Sequence, residues 1–361
     1  MHFNFYLIRG LRFLLFPLSL LMALVVMVRN KMYDWKWKRS VSFNLPLICV
    51  GNLSVGGTGK SPMTELLIGW LKPHYKLATL SRGYKRKTKG YLLANEHTSA
   101  LEIGDEPMQF HIKFPEVAVA VGEERIVAVP QLLQDRPETE AIILDDAFQH
   151  RSITAGLNIL LTDYSNPYWY DWFLPSGDLR DQRKSAARAQ IIVVTKCPPG
   201  ISEEEKNTIL QKINPASHQQ VYFVAFEYGT PYHILSAQEY ILTHETEVLL
   251  VCGIANPTPL KKHLETHAAA YDQLSYSDHY VFTIDDLNTM RQKFNSMQAQ
   301  YKMLLTTEKD AVRLVKFGTE LNQLPLYVQP VRHKVLFGEE EKFKATVLAF
   351  VQNFGKEKDH E

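Results

Sequence analysis

The chain has 361 residues, of which 45% are hydrophobic and 22% charged, with a formal net charge of +1. Such a composition suits a globular protein with room for two domains and carries no nucleic-acid signal beyond what a local basic patch could give. Three widely spaced cysteines, Cys49, Cys197 and Cys252, each in or beside an apolar run, read as core residues in a reducing compartment, and no Cys-x-x-Cys pair argues for zinc.

The first element is an apolar run, LRFLLFPLSLLMALVVMV at 11–28, interrupted by one charge, Arg12, and by Pro17. A collar of Arg29, Lys31, Lys36, Lys38 and Arg39 with Trp35 and Trp37 comes directly after it. About 18 apolar residues is the lower limit for crossing a bilayer, and Trp beside Lys or Arg suits the headgroup region. Basic residues after the run, and no small-x-small site, argue against a cleaved signal peptide. Residues 1–40 are therefore expected to be a membrane anchor and basic collar. Whether the helix spans the bilayer or lies in the interface stays open. The positive charges place the remainder of the chain in the cytoplasm.

From residue 41 short apolar runs alternate with helical patterns. Strands are expected at 45–50, 76–81, 117–121, 141–146, 157–163 and 190–196, with helices at 62–72 and 123–134 between some of them. That alternation predicts a parallel sheet covered on both faces. Further strands at 221–226, 248–253, 302–307 and 326–331, with helices at 257–267, 284–299 and 339–353, predict a second, smaller α/β domain. A less periodic stretch at 227–247 sets the junction, giving a core domain at 41–230 and a C-terminal domain at 231–361.

The chemistry concentrates after the first strand, in VGNLSVGGTGKSP at 50–62. The phosphate-loop pattern G-x-x-x-x-G-K-[ST] asks for glycine where this chain has Ser54, but Gly56, Gly57 and Gly59 remain. In such a loop the backbone N–H groups of residues 54–61 (Ser54, Val55, Gly56, Gly57, Thr58, Gly59, Lys60, Ser61) cradle phosphate oxygens. Lys60 would reach the β/γ-phosphates of ATP, and the Ser61 hydroxyl would bind Mg²⁺. IILDD at 142–146 reads as the partner strand, an apolar run ending in Asp145 and Asp146, one of which would hold Mg²⁺ or its water. TKCP at 195–198 lacks the Asn and Asp of a guanine-binding motif, which favours ATP. GDEP at 104–107 offers Asp105 in a tight turn as a carboxylate for an acceptor alcohol.

These residues do not stand alone. GNLSVGGTGKSP, SRGY, GDEP, DDAFQH, LPSGDLRD, SDHYVF and TTEKDAVRL occur in that order and together resemble the tetraacyldisaccharide 4'-kinases, the lipid A kinases of Gram-negative bacteria. The resemblance runs over nearly the whole chain. It implies a P-loop α/β core joined to a smaller α/β domain, and transfer of the γ-phosphoryl group of ATP to the 4'-hydroxyl of a tetraacyl glucosamine disaccharide 1-phosphate. It makes Asp105 the base, His279 its assistant, and Asp145 and Asp146 the paired acids, and it implies that Arg125 and Arg180 offer charge to phosphate oxygens. Asp181 stands where the family would have Glu. The resemblance also implies a membrane lipid substrate at the cytoplasmic face of the bacterial inner membrane. Two other classes compete on the loop alone: a membrane-associated P-loop ATPase without a sugar-lipid acceptor, and a non-catalytic nucleotide-binding scaffold.

Overall fold

The computed structural model describes Arg12 and residues 14–355. Residues 1–11 and 13 of the expected anchor and 356–361 of the expected second domain lie outside the described residues. The first element is α1 (Phe16–Asp34), with Pro17 in its first turn, where a missing N–H leaves no hydrogen bond unmade.

Nine strands form the larger sheet, in the order β14-β8-β7-β6-β1-β5-β2-β4-β3. They are β1 (Leu47–Asn52), β2 (Leu77–Ser81), β3 (Leu92–Leu93), β4 (Ala118–Val121), β5 (Ala141–Asp145), β6 (Leu157–Asp163), β7 (Ile191–Thr195), β8 (Gln220–Tyr228) and β14 (Val331–Val335). The seven inner strands are parallel, and the edge strands β3 and β14 run antiparallel. Every residue of β1, β2, β5 and β7 is buried, as strands covered on both faces require. One face packs on α2 (Lys60–Leu71) through Met63, Leu67 and Leu71, and on the last helix through Phe343, Val347 and Val351. The other face packs on Ala128, Val129 and Leu132 of a helix over Arg125–Asp135.

A second sheet of five strands has the order β11-β10-β12-β13-β9, built from β9 (Tyr232–His233), β10 (Glu247–Cys252), β11 (Ala270–Ser275), β12 (Lys302–Thr307) and β13 (Leu326–Gln329). Its two faces are covered by Leu260 and Leu264 on one side and by Leu287, Met290 and Leu314 on the other. The three cysteines are buried and free. The expected second domain of 231–361 and this sheet part company at residue 330. There the chain returns to pair β14 with β8, and α10 (Glu340–Asn353) covers the first sheet, because the apolar face of α10 matches Tyr222 and Val224 of β8. The remaining helices, numbered between these, are α3 (Ala100–Ile103), α4 (Asp105–Lys113), α5 (Arg125–Asp135), α6 (Glu203–Ile213), α7 (Thr258–His267), α8 (Ile284–Ser296) and α9 (Glu308–Leu314).

The central strand β1 has β5 on one side and β6 on the other, and the chain departs from it in both directions. A crevice at the C-terminal ends of the strands at such a reversal is where open α/β sheets place ligands.

Candidate active site

The glycine-rich loop occupies that crevice, between the end of β1 and the start of α2. Gly56 (φ 100°) and Gly59 (φ 86°) adopt left-handed backbone, which side chains resist. At Gly59 a Cβ would also lie 2.9 Å from His333. Ser54 needs no such freedom: it forms an antiparallel bridge to Leu179, its Oγ lies 3.4 Å from Asp171, and the next amide, Val55 N, donates to Asp178 O at 2.7 Å. The substituted position is the outer wall of the loop, pinned to the LPSGDLRD segment, while the tight turn begins at Gly56. Thr58 is held from both sides, by Asn52 Nδ2 at its hydroxyl (2.8 Å) and by Thr195 Oγ1 at its carbonyl (2.8 Å).

Lys60 opens α2 and places its Nζ 3.7 Å from Asp146 Oδ1. Asp146 also takes a forked hydrogen bond from Arg180, whose other contact is the Asn52 side chain. Lys60 and Arg180 together hold the Asp146 carboxyl far below the usual carboxylate range, against the opposing effect of burial. Its neighbour behaves oppositely. Asp145 is buried, and among the described residues no lysine or arginine lies within ion-pair distance of its carboxylate; burial, then the Asp146 charge, push it up to about 7. Glu106 adds to that rise, so α4 faces this strand end.

Arg125, expected to offer charge to phosphate oxygens, has its guanidinium engaged by backbone carbonyls. It is 1% exposed, and its guanidinium donates to the carbonyls of Gly122 (2.7 Å), Glu123 (3.3 Å) and Asp145 (3.4 Å). Burial draws its pKa down to about 10. The guanidinium thus braces the ends of β4 and β5.

GDEP is also not a turn between strands: Gly104 (φ 94°) lets the chain enter α4, and Asp105 is the first residue of that helix, where an acid suits the dipole. From the other lobe, 174 residues away, His279 Nδ1 meets Asp105 Oδ2 at 2.7 Å. His279 sits at φ 62°, a conformation costly for a histidine and held by its surroundings. Lys309 Nζ lies 3.3 Å from His279 Nε2 and is paired with Glu106 (3.0 Å) and Asp278 (3.3 Å). An ammonium has only donors, so it fixes Nε2 as acceptor and leaves Nδ1–H to donate to Asp105. Arg313 closes the cluster, with Nε 3.8 Å from Asp105, a pair to Asp310, and a bond to Tyr280 O at 3.2 Å.

Against known proteins, the model of the family described as tetraacyldisaccharide-1-P 4'-kinase matches residues 11–352. The chain belongs to this family. Among the relatives, a tetraacyldisaccharide 4'-kinase of Bacteroides thetaiotaomicron is 42% identical over 94% of this chain and 93% of its own length. One of Flavobacterium johnsoniae is 41% identical over 95% and 98%. A crystal structure of LpxK from Aquifex aeolicus in complex with ATP superposes with a TM-score of 0.73 at 28% identity, covering 94% of this chain and 99% of that one. The acceptor-free ATPase and the scaffold are thereby set aside.

In this member of the tetraacyldisaccharide-1-P 4'-kinase family several site residues carry no sequence signal beyond the motifs that contain them. Lys309 and Arg313 lie within TTEKDAVRL, and Tyr84 of SRGY sets its ring edge-on to His279 with centroids 5.4 Å apart. His333 had no signal. It is buried beneath the loop, its Nε2 2.9 Å from Gly59 O, and burial pulls its pKa down to about 4, so it stays neutral.

The helix α1 is, among the described residues, the one long and apolar enough to cross a membrane. It is fastened to the core lobe near its start and in its last turns. Arg12 pairs with Asp178 (3.1 Å), Ser19 Oγ accepts from Ser176 N (3.0 Å), Arg29 donates to Gln149 O (2.9 Å), and Asp34 pairs with Arg151 (2.8 Å). Its outward face is Leu18, Leu20, Leu21, Leu24, Val25 and Val28, all exposed, with the exposed Leu14 just before the helix.

Proposed function

We propose that Asp105 is the general base of phosphoryl transfer and that His279 orients it. The chain is an ATP-dependent kinase that transfers the γ-phosphoryl group to the 4'-hydroxyl of a tetraacyl glucosamine disaccharide 1-phosphate, a step of lipid A biosynthesis. With Asp105 Oδ2 engaged by His279 Nδ1–H, Oδ1 is left to accept the sugar proton as the oxygen attacks phosphorus. The backbone N–H groups of the turn from Gly56 to Ser61 and the Lys60 ammonium hold the β/γ-phosphates, the expected contribution of Ser54 and Val55 being lost to the Leu179 bridge and to Asp178 O, and Arg180, fixed by Asp146, offers charge to the transferring group.

The residues present fit Mg²⁺. Asp145 is a buried carboxylate with no lysine or arginine at ion-pair distance among the described residues, a hard oxygen donor, and Ser61 in the first turn of α2 would add its hydroxyl. Bound there, Mg²⁺ would neutralise charge between the β- and γ-phosphates. Arg125 positions the carbonyl of Asp145.

The exposed apolar face of α1 and the Trp35/Trp37 collar support seating on the cytoplasmic face of the inner membrane, with the lipid substrate reached from the bilayer. Polar contacts to the core lobe at both ends of α1, from Arg12 to Asp34, favour a helix lying in the interface over one crossing the bilayer.

The observation that carries this reading is the 2.7 Å contact between Asp105 and His279, one from each lobe. Incubation of the full chain with ATP, Mg²⁺ and the disaccharide lipid should add one phosphoryl group by mass spectrometry. Asp105→Ala and His279→Ala should each lower kcat on the order of 10²-fold or more with little change in KM for ATP. The double variant should be hardly worse than the poorer single one; strict additivity would refute joint action.

A further inference from the structure

We propose that Asn30, on the membrane-facing helix, is a positioning residue for phosphoryl transfer, acting through Asp181 on Arg180. The proposal deepens the reading above and rests on Arg180 serving the transferring phosphoryl group.

In the sequence Asn30 is one more polar residue between Arg29 and Lys31 of the basic collar; its burial against the core lobe sets it apart. A buried amide is retained only where its hydrogen bonds are made, since an unpaired one costs on the order of 1–3 kcal/mol. Asn30 is 4% exposed, and its Nδ2 donates to Asp181 Oδ1 at 2.8 Å, with Ser185 Oγ 3.4 Å away. Its own carbonyl accepts from Arg151 Nη1 at 2.9 Å. Asp181 is saturated: Oδ1 also accepts from Ser185 Oγ (3.0 Å) and Gln182 N (2.8 Å), and Oδ2 pairs with Arg188 (3.0 Å). A carboxylate so held cannot rotate.

The fixed residue is joined to Arg180. The amides of Arg180 and Asp181 both donate to Leu53 O, at 2.8 and 3.3 Å, inside the glycine-rich segment. The Arg180 side chain then reaches Asp146 and Asn52. A second route from the same helix turn ends at the same place: Arg29 donates to Gln149 O (2.9 Å), and Gln149 Nε2 donates to Asn52 O (2.6 Å). Two consecutive residues of α1 thus converge on Asn52, the last residue of β1. An anchor that only held the protein at the membrane would need neither contact. With these contacts the seat of the helix sets the aim of Arg180. Turnover then depends on α1 being docked, and the kinase works best where its acyl-chain substrate is.

Three variants of the full chain decide it: Asn30→Leu, Arg180→Ala and the two combined. Asn30→Leu makes the helix more apolar, so sedimentation with vesicles of phosphatidylethanolamine and phosphatidylglycerol should be unchanged or stronger. Its kcat should fall about 10- to 100-fold, the range seen when a group supporting a site residue is removed, with KM for ATP nearly constant. In the Arg180→Ala background the same substitution should cause no further loss. An equal fold-loss in both backgrounds, or a loss that tracks reduced vesicle binding, overturns the proposal. Near-normal turnover of Arg180→Ala would instead overturn the catalytic reading of Arg180, and this proposal with it. If Asn30→Leu fails to fold, Asn30→Ser, which keeps a donor, should retain most of the turnover while Asn30→Ala shows the loss; equal values for Ser and Ala refute the role.

Discussion

Asp145 and Asp146 are chemically identical neighbours with opposite assignments, and the difference lies in who stands beside each. Asp146 meets Lys60 and Arg180 and stays ionised; Asp145 is buried, with no cation at ion-pair distance among the described residues, and is pushed up to about 7. A proton and Mg²⁺ therefore compete for Asp145. Its folded pKa lies above the unfolded value, so its contribution to stability is full below about pH 4 and is lost as pH rises through about 7. Metal affinity runs the other way. The Mg²⁺ concentration giving half-maximal rate should fall steeply between pH 6 and 8 and level off above that. Asp145→Asn should flatten this dependence and lower kcat on the order of 10²-fold. It should also raise the melting temperature at pH 8 without nucleotide, since a buried, unpaired charge is gone. A lower melting temperature would show that the carboxylate is already compensated. At this scale Lys60, Ser61, Asp145 and Asp146 could be singled out in the sequence as candidates, because loop and strand end are contiguous segments with recognisable spacing. The engagement of Arg125 was not legible. Whether a guanidinium is held by three carbonyls depends on the packing of β4 against β5, and no local pattern records it.

The elements report on each other through a half-buried cluster, in which two buried carboxylates share a partly exposed lysine. Lys113 of α4 places its Nζ 2.7 Å from both Glu65 of α2 and Glu308 of α9. Gln109 donates to the free oxygen of Glu65 at 2.7 Å, and Val331 N to that of Glu308 at 3.1 Å. One ammonium thus joins the phosphate-loop helix, the helix that begins with Asp105, and the helix that carries Lys309. Burial and the Glu308 charge raise Glu65 to about 7. The sign is the same as for Asp145: the stability linked to Glu65 is complete below about pH 4.5 and fades as pH climbs through about 7. Lys113→Met should leave two buried carboxylates facing each other, at a cost of about 3 kcal/mol at pH 8. The deficit should shrink at pH 5.5, where one carboxylate takes a proton, and shrink likewise in Lys113→Met/Glu308→Gln. Thermal melts at the two pH values test this, and an equal deficit at both would refute the account. The inner strands were the legible elements, since buried parallel strands are unbroken apolar runs, whereas the four edge strands β3, β9, β11 and β14 were not expected. The helices α4, α6 and α9 were not. α4 and α9 are short and bury Asp105, Gln109, Glu308, Asp310 and Arg313, so polar side chains sit where a pattern search expects apolar ones; α6 buries no side chain fully, and its apolar contacts, Ile209, Leu210 and Ile213, are confined to its last turn and a half.

At the scale of the whole molecule, one side of the core lobe carries α1 with its apolar face, beside the exposed Tyr170 and Trp172. Leu21→Glu with Val25→Glu should bring most of the protein into the soluble fraction and raise KM for vesicle-embedded lipid, while ATP binding is retained. Persistent quantitative sedimentation would mean that the basic collar alone suffices. The two-lobe plan was legible from the two series of strands, but the return of the chain to the first sheet was not, because no strand was expected over 331–335, where VRHKV lacks an unbroken apolar run and only pairing reveals it. That return puts His333 under Gly59, 274 residues further along the chain. During synthesis, the phosphate loop is made among the first sixty residues, yet its floor arrives among the last thirty. Until then β8 is an unpaired sheet edge and the glycine-rich turn has nothing beneath it. The order of translation therefore withholds a finished nucleotide site from any nascent chain that lacks its end, so that an incomplete copy released early would have no finished site with which to bind ATP.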